Sequence, residues 1–589
     1  MNGPIQRLWM VVARHSLMLA LGFAMTLFVV SPNIRSWNTI GSENFRGVYP
    51  VFTDDEITYQ ARIKEVTEGK YSIGNPYIKE HMDDAFIMPP IAELIMACGV
   101  WLTGASVPFI AAFGDFVIVF IDFILIYTFF LIVSGGYRTI ALLYTVIFVV
   151  CILASLGRPI SPQLNYVFLF AGLIPIALIY FRESIYSRRW HVSAGLITGI
   201  TCFISPYFFT TLFVLYSSLY LAKVCINKKS RLFTQDLLYF SVSFFPFLLV
   251  FLYFQYKASQ GISYAETALR YGIMYTHLPG SFTNVALAVL AGGVIVLASR
   301  KLSLQERFFC MSGVITIFIL NWQNIITGVS LQFAPHYQFT TIPIIFSVLM
   351  IIHQRLITNN EVGRISSKII GVALLLLMCI IVYHQRNEFM HIARMPYSEV
   401  ELVAMQKKMD VFSWLRTNTQ SDSVVYSLGG MYDFTLPVYT ENKVYYNFYI
   451  ALYPASDHEV ENRWLAQHLF DLNMSSSTIQ EAHREYWGNR YIDSYASAEN
   501  RKKIIALVTL NEYVPGERIS DSLSERMYSR WIDVKSQPPI DVLRQYEIDY
   551  ILLSKEYQYY DETKKRLEQI DELSIVADFN GELLYALQK

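Results

Sequence analysis

Long apolar runs recur along this chain, each bounded by polar or charged residues and each close to the roughly 17–25 residues a helix needs to cross a bilayer. They lie near 15–32, 106–134, 139–156, 163–181, 190–205, 207–224, 236–256, 283–299, 308–324, 338–353 and 368–384. The pattern predicts a polytopic α-helical membrane protein with about eleven transmembrane helices. The first run follows Arg7 and Arg14 and superficially resembles a signal peptide. It has no small-x-small cleavage site, and Pro32-Asn33-Ile34-Arg35 comes next, so it reads as a retained first helix.

Two stretches depart from the pattern of short connections. Residues 33–105 hold two amphipathic-looking pieces, 55–69 and 89–104. The second is too short to span and carries Glu93, so it is expected to lie along the membrane interface. In residues 385–589 the apolar runs shorten and charge rises, which predicts a soluble mixed α/β domain after a membrane domain of residues 1–384. Ser423–Leu428, Lys443–Tyr446 and Asp549–Leu553 read as strands. Ser574–Phe579 and Glu582–Leu587 flank Asn580-Gly581, a strong hairpin signal. Helices are expected over 457–470 and 555–572.

Charge fixes an orientation for this scheme, because short cytoplasmic loops collect Lys and Arg. With the N-terminus inside, the inner connections carry Arg138, then Arg182, Arg188 and Arg189, then Lys223, Lys228, Lys229 and Arg231. Arg300, Lys301 and Arg307 follow, then Arg355, Arg364 and Lys368. The short outer connections carry only Arg158, Lys257 and Arg270. An odd number of helices then puts residues 385–589, like loop 33–105, on the outer side.

Composition agrees with a lipid-facing scaffold: 53% hydrophobic, 16% charged and 15% aromatic residues, with mean hydropathy +0.34. A net charge of −1 gives no support for nucleic-acid binding. The six cysteines stand singly in or beside apolar stretches, with none after Cys379, and read as small buried hydrophobes.

Candidate chemistry concentrates on the outer side. Asp54-Asp55-Glu56 opens the first outer loop, and Asp55 and Glu56 stand four and three residues before Tyr59, at spacings that share a helical face. One carboxylate aimed into the bundle can act as general base; alternatively the three form an acidic first turn stabilised by the helix dipole. His81, Asp83 and Asp84 are candidate ligands for Mg²⁺ or Mn²⁺, or a solvated loop. Arg158, Arg270 and His336 are outer candidates for holding a phosphate, or interfacial anchors. Asp115 and Asp122 lie within one span at i and i+7, where a structural role is preferred to a proton path.

An N-in first helix, Asp55-Glu56-Ile57-Thr58-Tyr59 in the following loop, and Pro89-Pro90-Ile91 opening an interfacial helix together resemble the GT-C glycosyltransferases. The nearest branches are the protein O-mannosyltransferases and the bacterial aminoarabinose lipid A transferases. Arg158 with Ser161-Pro162-Gln163 is similar to an outer turn of bacterial members. The sequence departs from the aminoarabinose branch at Thr58, where Arg is common, and at Met88, where Lys is common. The resemblance implies a polyprenyl-phosphate-linked sugar donor, inverting transfer to an outer acceptor hydroxyl, and a soluble outer domain after the last helix. It places the chain in a bacterial inner membrane with its C-terminal domain in the periplasm. On this reading Asp55 is the general base and Glu56 or Asp54 orients the acceptor or helps hold a cation. Arg158, Arg270 and His336 stabilise the leaving phosphate. An oligosaccharide polymerase or ligase is the competing enzyme class, and a transporter using Asp115 and Asp122 the competing non-enzyme.

Overall fold

The computed structural model describes residues 12–52, 55–85, 90–158, 160–182, 187–227, 230–280, 282–330, 334–358, 397–514 and 519–588. Helices occupy ten of the eleven expected span positions; the eleventh, 368–384, lies outside the described residues. Five are long and apolar enough to cross a membrane: Val107–Val133, Gln163–Phe181, Pro206–Cys225, Gln235–Ser259 and Leu304–Thr327. Ser16–Val29 and Ser31–Asn44 make a sixth if taken together, bent by 53°. Arg138–Cys151 and Phe282–Ala298 are apolar but shorter, at 14 and 17 residues. Hydropathy therefore located these helices better than it measured their lengths.

Local chemistry sets the boundaries that matter for the candidate site. The short helix Ile91–Thr103 ends at Gly104, whose φ of 68° is reached without a steric penalty only by glycine. Two residues on, the Ser106 hydroxyl caps the N-terminus of Val107–Val133, and Pro108 sits in its first turn, where the missing N–H leaves no bond unmade. The helices then pack closely. A Cβ added at Gly22 would stand 2.9 Å from the Phe123 ring, so this glycine lets the first helix approach Val107–Val133. Aromatic edges fill the centre, with Phe148 packed against Tyr166, Phe170 and Phe346.

The tail contains a five-stranded sheet in the order β4-β3-β5-β7-β6, with β3 Val424–Leu428, β4 Lys443–Val444, β5 Ile548–Leu553, β6 Leu573–Phe579 and β7 Glu582–Leu587. (β1 Met274–Tyr275 and β2 Val329–Ser330 pair as a separate small ladder.) β3 runs parallel to β4 and β5, while β7 is antiparallel to β5 and β6. The β6–β7 turn has Asn580 at φ 56° and Gly581 at φ 100°, the two positive values that a twisted two-residue hairpin requires. The expected helices appear as Asp457–Gln467 and Tyr560–Leu567. Glu399–Asn418, Arg490–Thr509 and Asp521–Lys535 lie outside the elements read from the sequence.

The loop that follows the first helix does not lie apart from the tail. Val48, Ile57, Ala61, Tyr77 and Ile78 belong to the same hydrophobic core as Val425, Leu436, Ile450 and Trp464. The Val444 N–H donates to the Tyr77 carbonyl at 2.9 Å, so the loop covers part of the sheet's β4 edge. The helix Glu56–Thr67 is wedged between this core and a smaller one, where Ile63 and Val66 meet Met96, Ile110 and Leu164. Glu56, Gln60, Arg62 and Glu65 are buried too, and each has a polar partner. Glu56 bonds Gln60, Arg62 pairs with Glu93, and Glu65 pairs with Lys443 of β4.

Candidate active site

Asp55 is the residue that starts the helix Glu56–Thr67, but its side chain caps nothing. Instead one oxygen, Oδ2, pairs with the Arg158 guanidinium, and the other, Oδ1, accepts a hydrogen bond from the Tyr449 hydroxyl at 3.2 Å. Arg158 sits in the turn between Leu153–Leu156 and Gln163–Phe181, where Ile160 takes φ 71° and the Ser161–Pro162 peptide is cis. The fold brings together two opposite charges that stand 103 residues apart in the chain.

Both groups open onto a cavity of about 430 Å³, within the range of small-molecule sites. One turn along the helix from Asp55, Tyr59 lines the same cavity; burial first, then the Asp55 carboxylate, push its phenol pKa up. Arg62 follows at i+3 and forms, with Glu93 of Ile91–Thr103, a buried ion pair of 2.7 Å in the wall. Burial opposes the Arg62 charge, but the Glu93 carboxylate together with Tyr453, Tyr271 and Tyr59 outweighs it and raises the pKa. His336 enters from the turn Ala334–Tyr337, its ring stacked on Tyr207 at 5.5 Å between centroids. Phe203, Ile204, Phe208 and Phe339 complete an apolar side. The cavity thus combines charged and apolar lining.

Several sequence expectations are redirected. Asp54 lies outside the described residues. Glu56 does not share the Tyr59 face: it points away from the cavity, accepts from the Phe52 N–H at 3.2 Å and the Gln60 amide at 3.1 Å, and is pushed up to about pKa 7 by burial. Arg270 is not available to a phosphate. Its guanidinium is buried, donates to the carbonyls of Ala451, Tyr453 and Ala455 and to Thr267, and pairs with Asp457, which also pairs with Arg490. It clamps the segment 451–457 to the helix Tyr264–Tyr271.

The proposed metal ligands do not form a metal site. His81 bonds Asp84 through Nδ1 at 2.7 Å and Glu459 through Nε2 at 2.8 Å, and Asp83 is exposed. Among the described residues no group of three or more His, Cys, Asp or Glu is placed to hold an ion. Asp115 accepts from Gln163 at 2.9 Å and Asn33 at 3.3 Å, while both oxygens of buried Asp122 lack a hydrogen-bond partner.

Sequence reasoning did not include Arg62, Glu93 or Tyr449 in the site. The first two left a signal: Glu93 was the one charge in an apolar interfacial helix, and Arg62 repeats the Tyr59 face one turn later. Tyr449 left none, since it lies 394 residues from Asp55 among 40 tyrosines.

No family model matches the chain, and no curated protein matches it in sequence. Among solved structures it is similar to a crystal structure of ArnT from Cupriavidus metallidurans bound to undecaprenyl phosphate, at 10% identity and TM-score 0.47 over 98% of each chain. It is also similar to the same protein in the apo state, at 11% identity and TM-score 0.44 over 95% of this chain and 97% of that one.

Proposed function

We propose that this protein is a membrane glycosyltransferase that moves a sugar from a polyprenyl-phosphate carrier to an acceptor hydroxyl on the outer face of a bacterial inner membrane. The observation that carries this reading is the Asp55–Arg158 pair on the wall of a cavity that is also lined by apolar residues. A carboxylate that can take a proton and a guanidinium that can hold a phosphate stand side by side, which is the pair such a transfer needs.

In the proposed reaction the acceptor O–H proton passes to Asp55 as its oxygen attacks the anomeric carbon. The bond from that carbon to the phosphate oxygen breaks, and the electron pair leaves on the lipid phosphate. Attack opposite the leaving group inverts the anomeric centre. Arg158 and His336 stabilise the charge that develops on the phosphate. Phe203, Phe208 and Phe339 receive the first isoprenes. Tyr59 and the Arg62–Glu93 pair bound the sugar. The tail from residue 397 onward supplies the outer domain that closes the site, and Arg270 secures that closure without touching the phosphate. His81 is engaged with Asp84 and Glu459 and is given no role in these steps.

The test is mass spectrometry of envelope glycans from cells that lack the protein, complemented with wild type or Asp55→Asn. Asp55→Asn is expected to reach the membrane in normal amount and to lose at least about a hundredfold in transferred sugar. Transfer retained at the wild-type level would sink the general-base assignment.

A further inference from the structure

The Asp55 carboxylate is held at both oxygens, and its two partners come from opposite parts of the molecule. Arg158 belongs to a turn of the helical bundle, whereas Tyr449 belongs to the tail, in the short helix Phe448–Leu452. If Arg158 turns to a phosphate, Asp55 loses one restraint and keeps the other. We infer that Tyr449 is a positioning residue: it holds Asp55 through Oδ1 so that Oδ2, vacated by Arg158, receives the acceptor proton. This rests on the proposed role of Asp55 as base.

The surroundings of Tyr449 suit a fixed donor. Its backbone N–H is capped by the Asn447 side chain at 2.7 Å, and Asn447 in turn donates to the Asp433 carbonyl at 2.9 Å. Its ring stacks on Tyr77 of the outer loop, with centroids 6.4 Å apart and planes 14° from parallel, and meets Phe434 edge-on at 6.0 Å. Two residues further on, Arg270 takes the Ala451 carbonyl at 2.8 Å, so the bundle itself anchors the segment that delivers the hydroxyl. A packed and capped phenol fixes the carboxylate more tightly than a water would, because the catalytic geometry is paid for during folding. The site is incomplete without the tail.

Two measurements on the full-length protein test this. The first places 3-fluorotyrosine at position 449 in protein held in lipid nanodiscs and reads its ¹⁹F resonance. Asp55→Asn is expected to shift that resonance; Arg158→Ala, Glu56→Gln and added undecaprenyl phosphate are expected to leave the contact in place. A resonance that Asp55→Asn does not move overturns the inference.

The second uses the complemented deletion strain. Tyr449→Phe keeps the ring packing and loses only the hydroxyl, so transferred sugar should fall by about tenfold or more at unchanged membrane abundance. In the Asp55→Asn background the same change should have no further effect, which a packing defect would not reproduce. Wild-type transfer by Tyr449→Phe overturns the positioning role. Transfer retained by Asp55→Asn instead overturns the base reading, whichever way the resonance behaves.

Discussion

Asp55 and Glu56 are adjacent carboxylates to which the fold gives opposite surroundings. Asp55 faces a cavity and a guanidinium; Glu56 faces the protein interior, where burial pushes it up to about pKa 7 from 4.5. A raised carboxyl pKa stabilises the fold while the group is protonated in both states, below about 4.5, and that contribution is lost as pH rises through about 7. Glu56→Gln should therefore leave the melting temperature nearly unchanged at pH 5 and raise stability by about 2–3 kcal/mol at pH 8, read by thermal unfolding in detergent. A large loss of stability at pH 8 would show that the charged form is held by something stronger than Phe52 and Gln60. The sequence makes Arg158 legible because a lone charge in an apolar stretch needs a reason, and Asp55 legible as part of an acidic run beside the first apolar segment. It does not separate Arg158 from Arg270, since both are single cations in outer connections and the counterion of Arg270 lies 187 residues away at Asp457.

At the scale of elements, strands were readable where β-branched and aromatic residues run between turn residues, and Asn580-Gly581 fixed a register that pairs Phe579 with Glu582. Helix Glu56–Thr67 was readable as a helix but not as a buried one, because Glu56, Gln60, Arg62 and Glu65 give it a polar appearance. Their partners come from elsewhere in the chain, and only the fold supplies them. Arg270 shows the energetic side of this. Its fork serves three carbonyls, a hydroxyl and a carboxylate at once, a geometry that the single ammonium of lysine cannot reproduce. Arg270→Lys is expected to leave buried acceptors unpaired and cost about 1–3 kcal/mol. Limited proteolysis should detect it as faster cleavage within 448–457, with transfer reduced although no cavity side chain has changed. Unaltered cleavage would mean that the clamp is not what holds the segment.

For the whole molecule, the junction between the outer loop and the tail carries titratable groups that mostly share one sign. His81 loses by burial but gains more from Glu459 and Asp84, so its pKa is raised above 6.5; its contribution is complete below 6.5 and is lost as pH climbs past its folded value. Asp433 is pushed up to about 7 by burial, in the same sense as Glu56. Burial works against Glu459, but His81 and Arg463 bring it down to about 2, so its contribution holds above 4.5 and fails only in strong acid. Backbone amides of 56–85 and 444–463 should therefore open about tenfold more readily at pH 8 than at pH 5, as read by hydrogen exchange corrected for intrinsic rates. Equal protection at both pH values would remove these groups from the junction. Hydropathy separates a loop from a tail, and nothing in either segment says that they share one core.

That shared core also orders events during synthesis. Lys443, the partner of Glu65, is translated 378 residues later, roughly 20–75 s at ordinary elongation rates. Until then Ile57, Ala61 and Tyr77 lack the tail side chains that bury them, and Glu65 has Lys70 but not its closer partner Lys443. The helical bundle can be inserted while its outer loop is still half-built. The candidate site comes into being only as the last third of the chain arrives.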